Sequence, residues 1–175
     1  MIDESKANVM SIRNCNAKGR TTMQKLIVLI LVLVLGVWLS QPAFAGGDWN
    51  DTGINWQPYE QGLAIAKNEN KPICLIFYTV WCQHCTNYSN VFHNAKVVEY
   101  AKQFVMIRID KDKNPDLSRK YAPDGQYIPR TFFLSPEGTL DLSIHEARDS
   151  YKYLYDEDKP AALLVGMSKA LQKLR

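Results

Sequence analysis

Residues 73–79 read ICLIFYT and run, after Val80, straight into Trp81-Cys82-Gln83-His84-Cys85. An apolar run of strand length without alternation is the signature of a strand buried on both faces. Such a strand sits inside a sheet that is covered above and below, so the chain needs structural layers on each side of it. Residues 82–100 are more polar, with Tyr88, Val91, Phe92, Val97 and Val98 at helical spacing and His93-Asn94 as a point of kinking. The two cysteines therefore lie at a strand-to-helix junction.

The flanking segments extend this frame. Residues 46–58 are rich in Gly, Asp, Asn and Trp and read as an irregular arm. Residues 59–70 carry Leu63, Ala64 and Ala66 at helical spacing, and Lys71-Pro72 stops the helix. A second strand is expected over 104–110 (FVMIRID), a short helix after Pro115, and a third strand over 131–134 (TFFL). Ser135-Pro136-Glu137-Gly138 has the composition of a turn, with residues 139–144 returning as a hairpin partner. Residues 159–174 form an amphipathic helix. Strands alternating with helices predict an α/β fold with a central sheet flanked by helices on both faces, and the late hairpin makes the sheet mixed.

The N-terminal end has a different character. Residues 26–39 form a fourteen-residue run without a charge, preceded by Lys25 and followed by Ala43-Phe44-Ala45. That is short for a membrane span, which needs about 20 residues. A basic start, a short apolar run and an A-x-A end describe a secretory signal peptide, with cleavage expected after Ala45; the alternative is an uncleaved anchor, which is the one membrane attachment the sequence offers. The expected domains are thus a leader over 1–45 and one folded domain over 46–175. Met23-Gln24-Lys25 gives a signal n-region of ordinary length, so Met23 is a candidate start.

The leader also explains the charge. The whole chain has 21 basic and 18 acidic residues, a net charge of +3. Residues 1–45 hold five of the bases and two of the acids, leaving 16 of each in the domain. A neutral domain has no basic stripe to offer nucleic acid. Cys15 lies in the leader too, so the domain keeps Cys74, Cys82 and Cys85, which is no disulfide framework.

A cysteine at a helix N-terminus meets unpaired backbone N–H groups and the positive end of the dipole, both of which favour a thiolate. Cys85 lies one turn on, close enough for a disulfide. An attacking thiolate forms a mixed disulfide with a partner, and the second thiol resolves it. His84 between them can add charge or a donor, tuning the thiolate. Covalent haem attachment needs C-x-x-C-H, and Thr86 follows Cys85. A structural zinc site needs four ligands, and beyond this pair only Cys74, His84 and His93 are on offer, with no second pair. A purely structural disulfide at this spacing makes a poor staple. A redox-active pair is the expectation, with no dissociable cofactor and no metal.

Trp-Cys-x-x-Cys between a buried strand and a helix resembles the thioredoxin superfamily. Tyr127-Ile128-Pro129-Arg130, just before the third strand, is similar to that family's second mark. The resemblance implies a thioredoxin-like fold, Pro129 as a cis-proline facing the cysteines, Ile128 as a substrate-facing residue, and Trp81 partly exposed beside the site. A narrower similarity covers most of the domain. Trp56 with the first helix, Pro123-Asp124-Gly125-Gln126-Tyr127-Ile128-Pro129-Arg130 and Ser150-Tyr151-Lys152-Tyr153 resemble the small single-domain thioredoxin-like proteins of the endoplasmic reticulum, including the anterior-gradient relatives. Those proteins end in a retention tetrapeptide, whereas this chain ends Lys173-Leu174-Arg175. With the signal, this implies export to the periplasm or cell exterior. The implied partners are cysteine-containing protein substrates and a redox partner that resets the pair. The alternatives are a dedicated reductase in envelope or cytochrome maturation, and a client-binding module that kept the fold. The presence of both cysteines favours an enzyme over a binding module.

Two positions depart from the family pattern. Thioredoxin and protein disulfide isomerase carry a buried acid six residues before the first cysteine, where this chain has Ile76. Gln83-His84 is neither thioredoxin's Gly-Pro nor the isomerase's Gly-His, but it keeps a histidine before the second cysteine. That histidine points to a poise less reducing than thioredoxin's, which is about −270 mV. Cys74 reads as a buried apolar residue, His93 and His145 as solvated or capping groups, and the alternating Tyr151, Tyr153 and Tyr155 as one face of an extended segment.

Overall fold

A computed structural model describes residues 46–174. The expected signal peptide and its cleavage after Ala45 lie outside the described residues. The elements are β1 (Trp56–Gln57), α1 (Tyr59–Glu69), β2 (Ile73–Tyr78), α2 (Gln83–Ser89), a 3-10 turn (Asn90–His93), α3 (Ala95–Ala101), β3 (Val105–Asp110), α4 (Pro115–Lys120), β4 (Arg130–Leu134) and α5 (Ala161–Lys173).

The sheet order is β1-β3-β2-β4. β2 is central, parallel to β3 with Ile73 opposite Val105, and antiparallel to β4 with Ile73 opposite Leu134. Ile73, Cys74, Leu75, Ile76 and Phe77 are all fully buried, which is why the sequence shows no alternation. Their side chains divide between two cores. Cys74 and Ile76 join the side covered by α2, α3 and α5, while Ile73, Leu75 and Phe77 join the side carrying Ala66 of α1 and Tyr121. The mixed sheet with helices on both faces is therefore as expected.

The kink at His93-Asn94 is a true break. Asn94 is extended (φ −67°, ψ 128°) and its side chain accepts from the N–H groups of Lys96 and Val97, capping α3. α1 presents Gly62 and Ala66 to the sheet, and Ala64 points to solvent. A Cβ at Gly62 would come within 2.5 Å of Ile107 Cδ1, so glycine is what lets α1 lie this close to β3.

Three expectations need correction. The arm is not wholly irregular, because Trp56–Gln57 pairs in parallel with β3 as β1. Trp49 is buried against Tyr78, Tyr88, Phe92 and Trp56, and the Arg108 guanidinium sits 5.2–5.4 Å from the rings of Trp49, Trp56 and Tyr78. This box fastens the arm to the sheet. Residues 139–144 do not form a hairpin strand. They make one bridge, Leu134 to Leu140, and the Asp141 N–H reaches the Phe133 carbonyl at 3.1 Å. The Asp141 carboxylate then captures the Ser143 N–H and hydroxyl at 2.8 and 2.6 Å, turning the chain away from the ladder. The tyrosines do not share a face. Tyr151 is exposed at φ 53°, and a turn joins the Leu154 N–H to its carbonyl at 3.0 Å. Tyr153 consequently packs on Phe132 in one core and Tyr155 against Phe133 in the other.

Candidate functional site

Cys82 and Cys85 form a disulfide with Cα atoms 5.2 Å apart, within the span such bonds bridge. β2 delivers the chain to this point and α2 carries it away. Cys82 is the N-cap of α2, in extended conformation, and its Sγ accepts the Cys85 N–H at 3.1 Å. The N-cap side chain normally satisfies one of the unpaired N–H groups of the first turn, and here a sulfur does so. Cys82 keeps slight exposure at 6%, whereas Cys85 has none.

The Ile128–Pro129 peptide bond is cis, and the Ile128 carbonyl oxygen lies 4.0 Å from Cys82 Sγ. Ile128 is half-buried and touches both cores, while Pro129 is buried. Pro129 also lines a cavity of about 290 Å³ with His84, Arg148, Leu154, Glu157 and other residues of that loop. The structure thus brings together the cysteine pair, Ile128 and Pro129, which are 46 residues apart in sequence.

The rim residues are held by partners the sequence did not reveal. Trp81 is 67% exposed and its Nε1 donates to Asp112 Oδ2 at 2.7 Å. The exposed His84 directs Nδ1 to the Glu157 carboxylate at 3.0 Å, and its ring makes no hydrogen bond to either sulfur. Its tether is therefore the loop before α5, 73 residues away. Local spacing carries no signal for either contact.

Beneath the pair the surroundings are apolar. Ile76, six residues before Cys82, is fully buried. Tyr88, one turn beyond Cys85, is fully buried and shares a 2.9 Å hydrogen bond with the Thr131 hydroxyl, joining the redox helix to β4. Burial pushes the Tyr88 phenol up, so it stays protonated. Burial likewise pushes the Cys74 thiol up, which suits an inert apolar role. His93 donates from Nε2 to the Asp48 carbonyl at 3.0 Å and His145 from Nδ1 to the Glu146 carbonyl at 2.7 Å, tying down local backbone. Among the described residues no group of three or more His, Cys, Asp or Glu is placed to hold a metal ion.

Residues 123–130 and 150–153 form one unit. Asp124 accepts from the Tyr127 hydroxyl at 2.9 Å and from the Lys152 N–H at 2.7 Å. The Tyr127 hydroxyl in turn accepts the Tyr153 N–H at 3.0 Å, and the Tyr127 and Tyr151 rings meet edge-on at 4.9 Å. Arg130 fills the interior of this unit, fully buried.

Comparison with known proteins agrees with this geometry. A thioredoxin-like family profile matches residues 55–136. The human anterior gradient protein 2 homolog is 33% identical over 128 residues, covering 73% of this chain and 71% of that protein. Anterior gradient protein 3 of Xenopus tropicalis is 32% identical over 130 residues, covering 73% and 77%. In fold, a thioredoxin from Thermus thermophilus superposes with a TM-score of 0.55 at 22% identity, over 69% of this chain and 89% of its own. A putative disulphide-isomerase from Bacteroides thetaiotaomicron does so at 0.51 and 24%, over 69% and 95%. These two likenesses speak for the fold, while the anterior gradient proteins establish kinship. By that kinship, and by the cysteine pair at the head of α2, the chain belongs to the thioredoxin superfamily as a thioredoxin-like thiol:disulfide oxidoreductase related to the anterior gradient proteins.

Proposed function

We propose that the protein is exported and exchanges disulfides with cysteine-containing protein substrates through Cys82 and Cys85. The disulfide at the N-cap of α2, with Cys82 keeping slight exposure and Cys85 fully buried, carries this reading. In the reduced protein the Cys82 thiolate attacks one sulfur of a substrate disulfide. A mixed disulfide forms and the other substrate sulfur leaves as a thiolate. Cys85, deprotonated, then attacks Cys82 Sγ, closing the internal disulfide and releasing the second substrate thiol. Two electrons pass from the pair to the substrate, and the reverse sequence oxidises a substrate dithiol. A dithiol or disulfide partner resets the pair, and no dissociable cofactor takes part.

The Cys85 N–H that meets Cys82 Sγ at 3.1 Å also favours the thiolate once the bond is opened. His84, between the cysteines in sequence but held on the Glu157 carboxylate, is the proposed tuner of the thiolate through its charge rather than through a bond to sulfur. Stabilising the reduced form makes the pair more oxidising, so its potential is expected above the roughly −270 mV of thioredoxin. Trp81, Ile128 and Pro129 border Cys82 and receive the substrate segment. Export rests on the sequence alone, on the apolar run 26–39 and Ala43-Phe44-Ala45.

Cys82→Ser is expected to abolish both insulin-disulfide reduction and oxidative refolding of a reduced protein. Cys85→Ser is expected to accumulate mixed disulfides, whose identification by mass spectrometry names the substrates. Equal behaviour of wild type and Cys82→Ser in both assays refutes the reading.

A further inference from the structure

Arg130 is the charged side chain found fully buried among the described residues, and stability alone explains it poorly. It is fully buried, yet its acceptors are three backbone carbonyls and one hydroxyl, none of them a carboxylate. Nη1 donates to Tyr121 O at 2.8 Å and Gly125 O at 2.7 Å; Nη2 donates to Ser118 O at 3.3 Å and Ser118 Oγ at 2.6 Å. Nε has no hydrogen-bond partner among the described residues. Burial lowers its pKa to about 10, against a smaller opposing pull from the Asp124 carboxylate, so the charge persists at neutral pH with no direct ion pair among the described residues. An apolar side chain of similar volume fills such a space at less cost.

What only a planar fork of donors does is bind several carbonyls at one point. Ser118 and Tyr121 belong to the last turn of α4 and its end, where carbonyls lack helical partners. Gly125, at φ 131°, belongs to the turn that follows. The guanidinium also lies 5.0 Å from the Phe77 ring on β2. Arg130 thus ties the end of α4 and the 123–125 turn to the head of β4, the two ends of the loop that carries Ile128 and Pro129. The Asp124 and Tyr127 bonds close the same loop from outside. The product of this bracing is the Ile128 carbonyl standing 4.0 Å from Cys82 Sγ.

We propose that Arg130 is the positioning residue of the substrate-facing loop, its guanidinium holding the carbonyls of Ser118, Tyr121 and Gly125 so that Ile128 is fixed opposite Cys82. This rests on the disulfide-exchange reading above. A protein substrate that lies along Ile128 needs the loop in place, whereas a small disulfide that meets only the sulfur does not.

The test compares wild type with Arg130→Met and Arg130→Lys. Insulin is the protein disulfide, hydroxyethyl disulfide the small one, and thermal melting and the reduction potential of the pair are measured alongside. Arg130→Met is expected to melt cooperatively, to keep its potential and its rate with hydroxyethyl disulfide, and to show a KM for insulin raised roughly tenfold or more. Arg130→Lys, able to hold some of the carbonyls, is expected to fall between. An unchanged insulin KM in folded Arg130→Met overturns the proposal. So does a parallel loss with both disulfides, which marks a merely structural residue. If Arg130→Met does not fold, Ser118→Ala decides, since it removes only the 2.6 Å bond. A raised insulin KM with an unchanged small-disulfide rate supports the role, and no change refutes it. A wild type inactive on both disulfides brings down the exchange reading itself, a result distinct from active variants that match an active wild type.

Discussion

Gly166 sits in the middle of α5, where alanine normally stabilises a helix by about 1 kcal/mol. Here the opposite is expected. A Cβ at Gly166 would lie 2.8 Å from Tyr155 Oη, 2.9 Å from Phe133 Cε2 and 3.1 Å from Tyr155 Cε1. Both rings are at most 2% exposed, and Phe133 is anchored on β4, so neither yields freely. Overpacking costs about 1–3 kcal/mol, and two contacts below 3.0 Å to buried rings put this site in the upper half of that range, which outweighs the gain in propensity. Gly166→Ala should therefore lose about 1–2 kcal/mol and melt about 3–8 °C lower. Tyr155 adds a second arm. Its hydroxyl is buried with no hydrogen-bond partner among the described residues. Tyr155→Phe removes that unpaired group and is expected to raise stability by about 1 kcal/mol. It also removes the 2.8 Å overlap, so the double variant should recover much of the loss from Gly166→Ala, a coupling visible in a double-mutant cycle. Thermal and urea denaturation of the oxidised protein measures all four corners. A Gly166→Ala variant as stable as wild type, or strictly additive effects, refutes this account of the α5 contact.

Other perturbations test the surroundings of the site. Tyr88→Phe leaves the Thr131 hydroxyl buried and unpaired and should cost about 1–3 kcal/mol, whereas the Tyr88→Phe, Thr131→Val pair should cost much less than twice that; urea midpoints compare them. Asp141 has its pKa lowered to about 2, first by the Lys173 ammonium at 2.8 Å and then by Ser143. A depressed carboxyl stabilises the fold above its unfolded value of 3.8 and loses that contribution as pH falls toward 2. Asp141→Asn should cost up to about 1 kcal/mol at pH 7, and the gap to wild type should close between pH 4 and 2 when melts are compared across pH. Alkylation of the reduced native protein should label Cys82 first and leave Cys74 unmodified until denaturant is added, as peptide mass spectrometry reads directly.

Much of this architecture was legible because burial writes itself into composition. β2 could be read because both of its faces are buried, and the cysteine pair because its spacing has few other uses. The break before α3 showed as an asparagine suited to capping. What stayed hidden depended on distant partners. β1 is two residues of an otherwise polar arm, and its strand character comes from β3, about 50 residues on. The failed hairpin turned on a competition that Asp141 wins by binding the Ser143 backbone. Asp112 and Glu157 sit in stretches where nothing local marks them as partners of Trp81 and His84. Arg130 stood inside a quoted stretch, yet its task shows only when Ser118, Tyr121 and Gly125 converge on it. Pattern reveals which side chains leave water, while networks of hydrogen bonds that cross the chain must be seen in space.

The way β4 is covered bears on what the sheet offers to any extended chain that meets it. Its outer margin is already taken, the Thr131 N–H by the Tyr153 carbonyl and the Phe133 carbonyl by Asp141. At the opposite margin β1 is two residues long and runs into Pro58, which has no N–H to lend. A molecule that meets extended, unfolded chains invites them to dock onto any open strand, and that is how aggregates seed. Here the sheet gives them almost no template, which under the proposed function leaves the loop beside Cys82 as the place where an extended chain would be met and let go.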